Sequence, residues 1–281
     1  MQQIKLKRAL LPALGMGTWH MGDQPTKRTA EIQALHYGLD HGLTVIDTAE
    51  MYGNGRSESL VGAAIRPYQR QDLFVISKFL PQNATPQRMR QSLLASLKRL
   101  GTDYLDLYLL HWRGRVPLAA TVAGLETLKR EGKIHYWGVS NFDQVDLLEL
   151  QQITGGQHLA ANEDLYNLGA RGVEFDVLPW QQKRALPLIA YSPIAQGDVR
   201  GNLTGNKVVQ QIAAAHQLTA YQVLLAWTLR QPQVLAIPQT SNWQHMQANI
   251  AAADSTLTAS ELAALNQEFP APTHKQPLEI I

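Results

Sequence analysis

Eight short β-rich apolar runs, separated by longer segments with helical spacing, leave few folds open to this 281-residue chain. The runs are Leu14–Thr18, Leu43–Asp47, Leu73–Ser77, Leu105–Leu110, Ile134–Val139, His158–Asn162, Leu188–Tyr191 and Val234–Ile237. Between them, Ile32, Leu35 and Leu39 share one helical face that stops at Gly42. Met89, Leu93, Leu97 and Leu100 form another that stops at Gly101, with Thr85-Pro86 as cap and first helical residue. Thr219 with Gln222, and Thr258 with Glu261, have capping-box spacing. Eight strands alternating with helices in this length predict a single α/β domain over 1–281, a (β/α)₈ TIM barrel, which typically takes ~250 residues. Met1–Pro12 is expected as a short β-hairpin closing the barrel bottom, and Phe269–Ile281 as a tail.

A doubly wound sheet has the same alternation, but a dinucleotide-binding one carries a glycine-rich turn after its first strand. Here Gly15-Met16-Gly17 lies within the first strand and continues as Thr18-Trp19-His20, without a third glycine. The absence of cysteine excludes disulfides, thiolate zinc sites, iron–sulfur clusters and a cysteine nucleophile. Lys plus Arg number 25 against 23 Asp plus Glu, and the basic residues are scattered, so no nucleic-acid surface is indicated. Lys5, Lys7 and Arg8 interrupt the N-terminal apolar run that a secretory signal needs. No segment reaches the ~18 apolar residues of a membrane span, and a cytoplasmic protein is expected. The sequence gives no metal-site clustering and does not indicate an oligomeric state.

Catalytic groups of such barrels sit at the C-terminal ends of the strands. The second run ends at Asp47, with Tyr52 five residues on; the third is followed by Lys78 and the fourth by His111-Trp112. Singly, each has a structural reading as a cap, a lid or a solvated rim residue; together they point to one site. A Lys ammonium ~4 Å from a phenol in an effective dielectric of ~20 favours the phenolate by roughly 4 kcal/mol, about 3 pKa units before desolvation opposes it. Tyr52 is therefore expected to approach a useful general acid, with Asp47 orienting Lys78 and His111 hydrogen-bonding a carbonyl under reduction.

The stretch Gly42-Leu43-Thr44-Val45-Ile46-Asp47-Thr48-Ala49-Glu50-Met51-Tyr52-Gly53 resembles a signature of the aldo-keto reductase family. Gly132-Lys133-Ile134-His135-Tyr136-Trp137-Gly138-Val139-Ser140-Asn141-Phe142 and Tyr191-Ser192-Pro193-Ile194-Ala195-Gln196 resemble two more of its blocks. The pattern is most similar to bacterial methylglyoxal and diketogluconate reductase-like members. The resemblance implies reduction of small aldehydes or ketones with NADP(H), bound without a Rossmann fold. It casts Tyr52 as proton donor, Lys78 as its pKa partner, Asp47 as the residue orienting Lys78 and His111 as the group orienting the carbonyl. It also implies cofactor contacts from Gly17, Thr18, Ser140, Asn141, Glu163, Tyr191, Ser192, Pro193, Ala195, Gln196, Gln239, Thr240, Ser241, Asn242, His245 and Asn249. The substrate pocket is expected from Trp19, Tyr52 and Trp112, with Glu50 near its mouth either repelling anions or capping the next helix.

Two positions depart from the family pattern. Glu163 stands where a Gln is common; it either accepts from the nicotinamide carboxamide as a carboxylate, favouring the cationic ring, or is protonated or turned away. Gln239 and His245 stand where the NADP-type pattern has Lys and Arg, so the clamp on a 2′-phosphate is reduced and use of NAD(H) becomes plausible. The competing functions are a Schiff-base aldolase using Lys78, which needs that lysine neutral, and a non-catalytic cofactor-sensing subunit, which needs no intact tetrad.

Overall fold

A computed structural model describes residues 1–198 and 202–281. Its strands are β1 (Gln3–Leu6), β2 (Ala9–Pro12), β3 (Met16–Gly17), β4 (Val45–Asp47), β5 (Phe74–Phe79), β6 (Leu105–Leu110), β7 (Ile134–Ser140), β8 (Asn162–Leu165), β9 (Leu188–Tyr191) and β10 (Val234–Ala236). The helices are α1 (Arg28–Asp40), α2 (Arg56–Ile65), α3 (Pro86–Leu100), α4 (Leu118–Arg130), α5 (Gln144–Gln151), α6 (Val177–Gln182), the single turn α7 (Ala195–Asp198), α8 (Lys207–His216), α9 (Ala220–Leu229), α10 (Trp243–Ala253) and α11 (Ala259–Glu268).

Strands β3 to β10 form one parallel sheet in chain order. It closes on itself where β3 meets β10. Gly15 N donates to Ala236 O at 2.8 Å, Ala236 N to Ala13 O at 2.9 Å and Gly17 N to Pro238 O at 3.0 Å. The result is the expected (β/α)₈ barrel. The hairpin β1–β2 is antiparallel, with Ile4, Leu6 and Leu11 in the core, and Lys5 N donates to Gln233 just before β10, at the N-terminal end of the barrel strands.

Local signals in the sequence set many of the boundaries. Pro86 opens α3 and Gly101, at φ 68°, closes it in the left-handed conformation that glycine adopts without strain. Both capping boxes form: Thr219 with Gln222 at α9 and Thr258 with Glu261 at α11. The sixth barrel strand differs from expectation. It runs Asn162–Leu165, whereas Gly156–His158 forms a 3₁₀ turn entered through Gly155 at φ 93°. Three of the four β8 residues are polar, and all four are buried. Among the described residues, no helix is long and apolar enough to cross a membrane.

The seam depends on a missing side chain. A Cβ at Gly17 would lie 2.5 Å from the backbone oxygen of Ile237. Gly17→Ala should therefore force β3 and β10 apart and cost about 1–3 kcal/mol, the usual range for overpacking. Urea unfolding should give a lower midpoint with an unchanged slope.

Candidate active site

Asp47 ends β4, Lys78 is the penultimate residue of β5 and His111 follows β6, so the barrel brings all three to one rim. Tyr52 reaches the same rim through a sharp turn. Gly53, Asn54 and Gly55 are successively left-handed, at φ 56°, 52° and 84°, and swing the chain from Tyr52 into α2. A side chain at Gly53 would strike Asp23 and one at Gly55 would strike Arg99, which explains the Gly-Asn-Gly sequence.

Lys78 is wholly buried, and its Nζ donates to both Asp47 carboxylate oxygens at 2.6 Å. It also lies 3.2 Å from Tyr52 Oη, 3.2 Å from Thr48 O and 3.3 Å from Glu163 Oε1. Burial opposes its charge, but Asp47, Glu163 and Tyr52 together outweigh burial and hold the ammonium above the ordinary lysine range. Burial, assisted by the Lys78 charge, pushes the His111 imidazole down to about 3, so it is neutral. The expected lowering of the Tyr52 phenol is not found. Burial raises it well above the ordinary tyrosine value, and Asp47 and Glu163 cancel much of what Lys78 supplies.

One cavity of about 1080 Å³ opens beside this cluster. Asp47, Tyr52, His111, Trp19 and Trp112 line it, as do Gly17, Thr18, Ser140, Asn141, Glu163, Tyr191, Ser192, Pro193, Gln196, Gln239, Thr240, His245 and Asn249. Ser140, Glu163 and Tyr191 come from neighbouring strands β7, β8 and β9. Tyr191 Oη donates to Asn141 Oδ1 at 2.8 Å, while Asn141 Nδ2 donates to His111 O at 3.0 Å. Thr18 Oγ1 donates to Asp47 O at 2.8 Å, so this hydroxyl braces the strand carrying Asp47. Across the segment after β9, Tyr221 Oη donates to Gly197 O and Thr228 Oγ1 to Pro193 O.

Lys78, Ala195, Ser241, Asn242 and Glu50 are not among the lining residues. Lys78 lies behind Tyr52. Ala195 is buried, and Asn242 caps α10 by accepting from Gln244 N at 2.8 Å. Glu50 corrects the expectation of a charge at the pocket mouth. Its Oε1 accepts from Leu80 N at 2.7 Å and Asn83 Nδ2 at 2.8 Å, and its Oε2 accepts from Ser92 Oγ. That carboxylate ties the loop after β5 to α3. The tail also differs from expectation: Lys275 bridges Asp176 at 2.7 Å and Asp143 at 3.4 Å, and Ile280 and Ile281 line the cavity.

A closed parallel barrel whose strand tips gather a charged lysine, a phenol and a neutral imidazole around one cavity has the layout of a barrel oxidoreductase. Residues 13–268 match the aldo/keto reductase family. The chain is 48% identical over 272 residues to the methylglyoxal reductase YeaE of Escherichia coli, spanning 96% of this chain and 95% of that protein. An NADH-specific methylglyoxal reductase of the same organism is 29% identical, spanning 92% and 96%. Among solved structures, an aldo/keto reductase of Klebsiella pneumoniae in complex with NADP and acetate superposes with TM-score 0.97 at 46% identity, covering 99% of each chain. The chain belongs to the aldo/keto reductase family and is an NAD(P)H-dependent oxidoreductase.

The wall suits a nicotinamide dinucleotide. Glu163 Oε2 and His111 Nδ1 are buried polar atoms in the wall with no partner. The cavity is at the upper end of the usual small-ligand range of roughly 300–1,000 Å³.

Because Glu50 braces a loop, Glu50→Gln should lower stability by about 1–3 kcal/mol through a partly unsatisfied hydrogen-bond set. The ratio of KM values for a neutral and an anionic carbonyl should not change. Thermal melts and paired steady-state assays read the two effects separately.

Proposed function

We propose that the chain reduces small aldehydes and ketones to alcohols, with methylglyoxal-like carbonyls the leading substrate class. The observation that carries this reading is Tyr52 Oη, 3.2 Å from a fully buried, charged Lys78 at the edge of the cavity that His111 shares. When bound, the reduced nicotinamide supplies the hydride. Tyr52, its phenol kept protonated by burial, gives its proton to the carbonyl oxygen as negative charge develops there. Lys78 stabilises the phenolate left behind, and Asp47 holds the ammonium in place. His111, neutral at working pH, keeps one ring N–H to offer to the same oxygen.

The walls favour small uncharged substrates. Trp19 and Trp112 give flat apolar sides, and among the described residues no Lys or Arg lines the cavity. That absence also bears on the cofactor. The Klebsiella relative binds NADP and one E. coli relative is NADH-specific. With Gln239 and His245 at the positions implied to hold a 2′-phosphate, we infer a modest preference between NADPH and NADH. A Schiff-base aldolase is disfavoured because Lys78 is charged and has no exposed surface.

Tyr52→Phe removes the proton donor but keeps the ring. Turnover of methylglyoxal should fall by about 10²–10⁴ with NADPH affinity nearly unchanged. If more than about a tenth of kcat survives, a factor worth ~1.4 kcal/mol, another group is the acid.

Charge-assisted hydrogen bonds to phosphate contribute roughly 1.5–3 kcal/mol each. Gln239→Lys should therefore raise the NADPH-to-NADH ratio of kcat/KM by about tenfold or more. A wild-type preference for NADPH above about a thousandfold would place the phosphate elsewhere.

A further inference from the structure

Glu163 has a buried carboxyl beside the Lys78 ammonium whose role the functional reading above does not use. It lies on β8, is 2% exposed, and its Oε1 is 3.3 Å from Lys78 Nζ. Its Oε2 is buried and accepts no hydrogen bond. Both Asp47 carboxylate oxygens lie 2.6 Å from Lys78 Nζ, and the second carboxyl, Glu163, reaches the same ammonium only through Oε1. One ammonium therefore serves two carboxyls, Asp47 and Glu163, that are both almost wholly buried. Asp47, with both oxygens at 2.6 Å, is the better partner for the cation, so the proton belongs to Glu163. The oxygen without a donor is where that proton sits. Burial and then the Asp47 charge raise the Glu163 carboxyl well above the ordinary range, against a smaller opposing pull from Lys78.

The titratable groups on the surrounding elements are Asp47 on β4, Tyr52 before α2, Lys78 on β5, His111 after β6 and Tyr191 on β9. The neighbouring Asp164 points to the other face of its strand, where its Oδ2 accepts from Asn162. Of these groups, only Lys78 is a cation.

We propose that Glu163 is a positioning residue that stores the single proton shared by the two carboxyls around Lys78, and that loss of this proton to solvent shifts the site from the reduced cofactor toward the oxidised one. The proposal rests on the functional reading above. With Glu163 neutral, the cluster of Asp47, Lys78 and Glu163 carries no net charge, and Lys78 is free to stabilise a Tyr52 phenolate. Once Glu163 ionises, the cluster is negative beside the nicotinamide. It then attracts the cationic oxidised ring and opposes charge on Tyr52, so reduction slows while oxidised product is retained.

The test is equilibrium titration of NADPH and NADP⁺ by fluorescence quenching from about pH 6 to about pH 10, on wild-type protein and Glu163→Gln. Gln keeps an acceptor for Lys78 but cannot ionise. In the wild type, the ratio of NADP⁺ to NADPH affinity should rise by at least about tenfold across the range; in Glu163→Gln it should stay flat. A flat wild-type ratio, or a rise that survives in Glu163→Gln, overturns the proposal. A second measurement needs no variant. Infrared spectra of protein labelled with ¹³C at its glutamate carboxyls should contain a protonated carboxylic acid at neutral pH, a signal that Asp164 cannot produce. Absence of that band also overturns the proposal. Both readouts are independent of turnover: a chain that passes them but reduces no carbonyl refutes the functional reading, and one that reduces carbonyls but fails them refutes the role of Glu163.

Discussion

A lysine ammonium with no solvent exposure is costly to bury, and the Lys78 charge is tolerated only because Asp47 and Glu163 are brought to it from two other strands. Removing one partner of such a pair typically costs about 3–5 kcal/mol. The three residues come from β4, β5 and β8, so only a sheet curled into a barrel delivers them to one point. A register slip of one residue on β4 or β5 would turn its side chain to the opposite face and leave a buried charge unpaired. Barrel geometry and the ion cluster therefore specify each other.

The electrostatics of the cavity follow from that cluster. Burial, helped by the nearby cation, keeps His111 neutral, and on Tyr52 burial together with the carboxyls outweighs what that cation supplies. Coulomb's law between Lys78 and Tyr52 alone gives the wrong direction for the phenol, because it omits both the desolvation of the hydroxyl and the second carboxyl. A protonated Tyr52 is still what a reduction needs, since the acid must hold its proton until the carbonyl oxygen becomes basic. The lysine thus acts on the phenolate as it forms, with little effect on the resting phenol.

Much of this was legible in the chain. Apolar alternation located seven of the eight barrel strands, and the start of α3 at Pro86, the caps at Thr219 and Thr258 and the stop at Gly101 follow local rules that tertiary contacts did not override, although Thr85 itself makes no capping bond. The strand ends carrying Asp47, Lys78 and His111 could be read because barrel chemistry has a fixed side. Strand β8 could not be placed, since its Asn162-Glu163-Asp164 run is buried for reasons of charge and hydrogen bonding that no apolar pattern records. Glu50 was misread because its partners, Leu80, Asn83 and Ser92, are distant in sequence. The wall built by Ile280 and Ile281 depends on anchors such as Lys275 to Asp176, which is likewise a matter of three-dimensional contact.

The seam between β3 and β10 has a consequence for how the molecule is made. It joins Leu14 to Ala236 and Gly17 to Gln239, so the first and last barrel strands pair across nearly the whole domain. Contacts of such long sequence separation are slow to form, because the entropy of closing the loop is lost before the contact repays it. Until they form, the sheet has two open edges, and an unpaired edge is a template for another chain. Gly17 and Gln239, which form the seam, also line the cavity. A dinucleotide lying against both would bind only the closed barrel and would draw late folding intermediates toward it. The cofactor's cellular concentration would then influence the yield of folded enzyme as well as its rate of turnover.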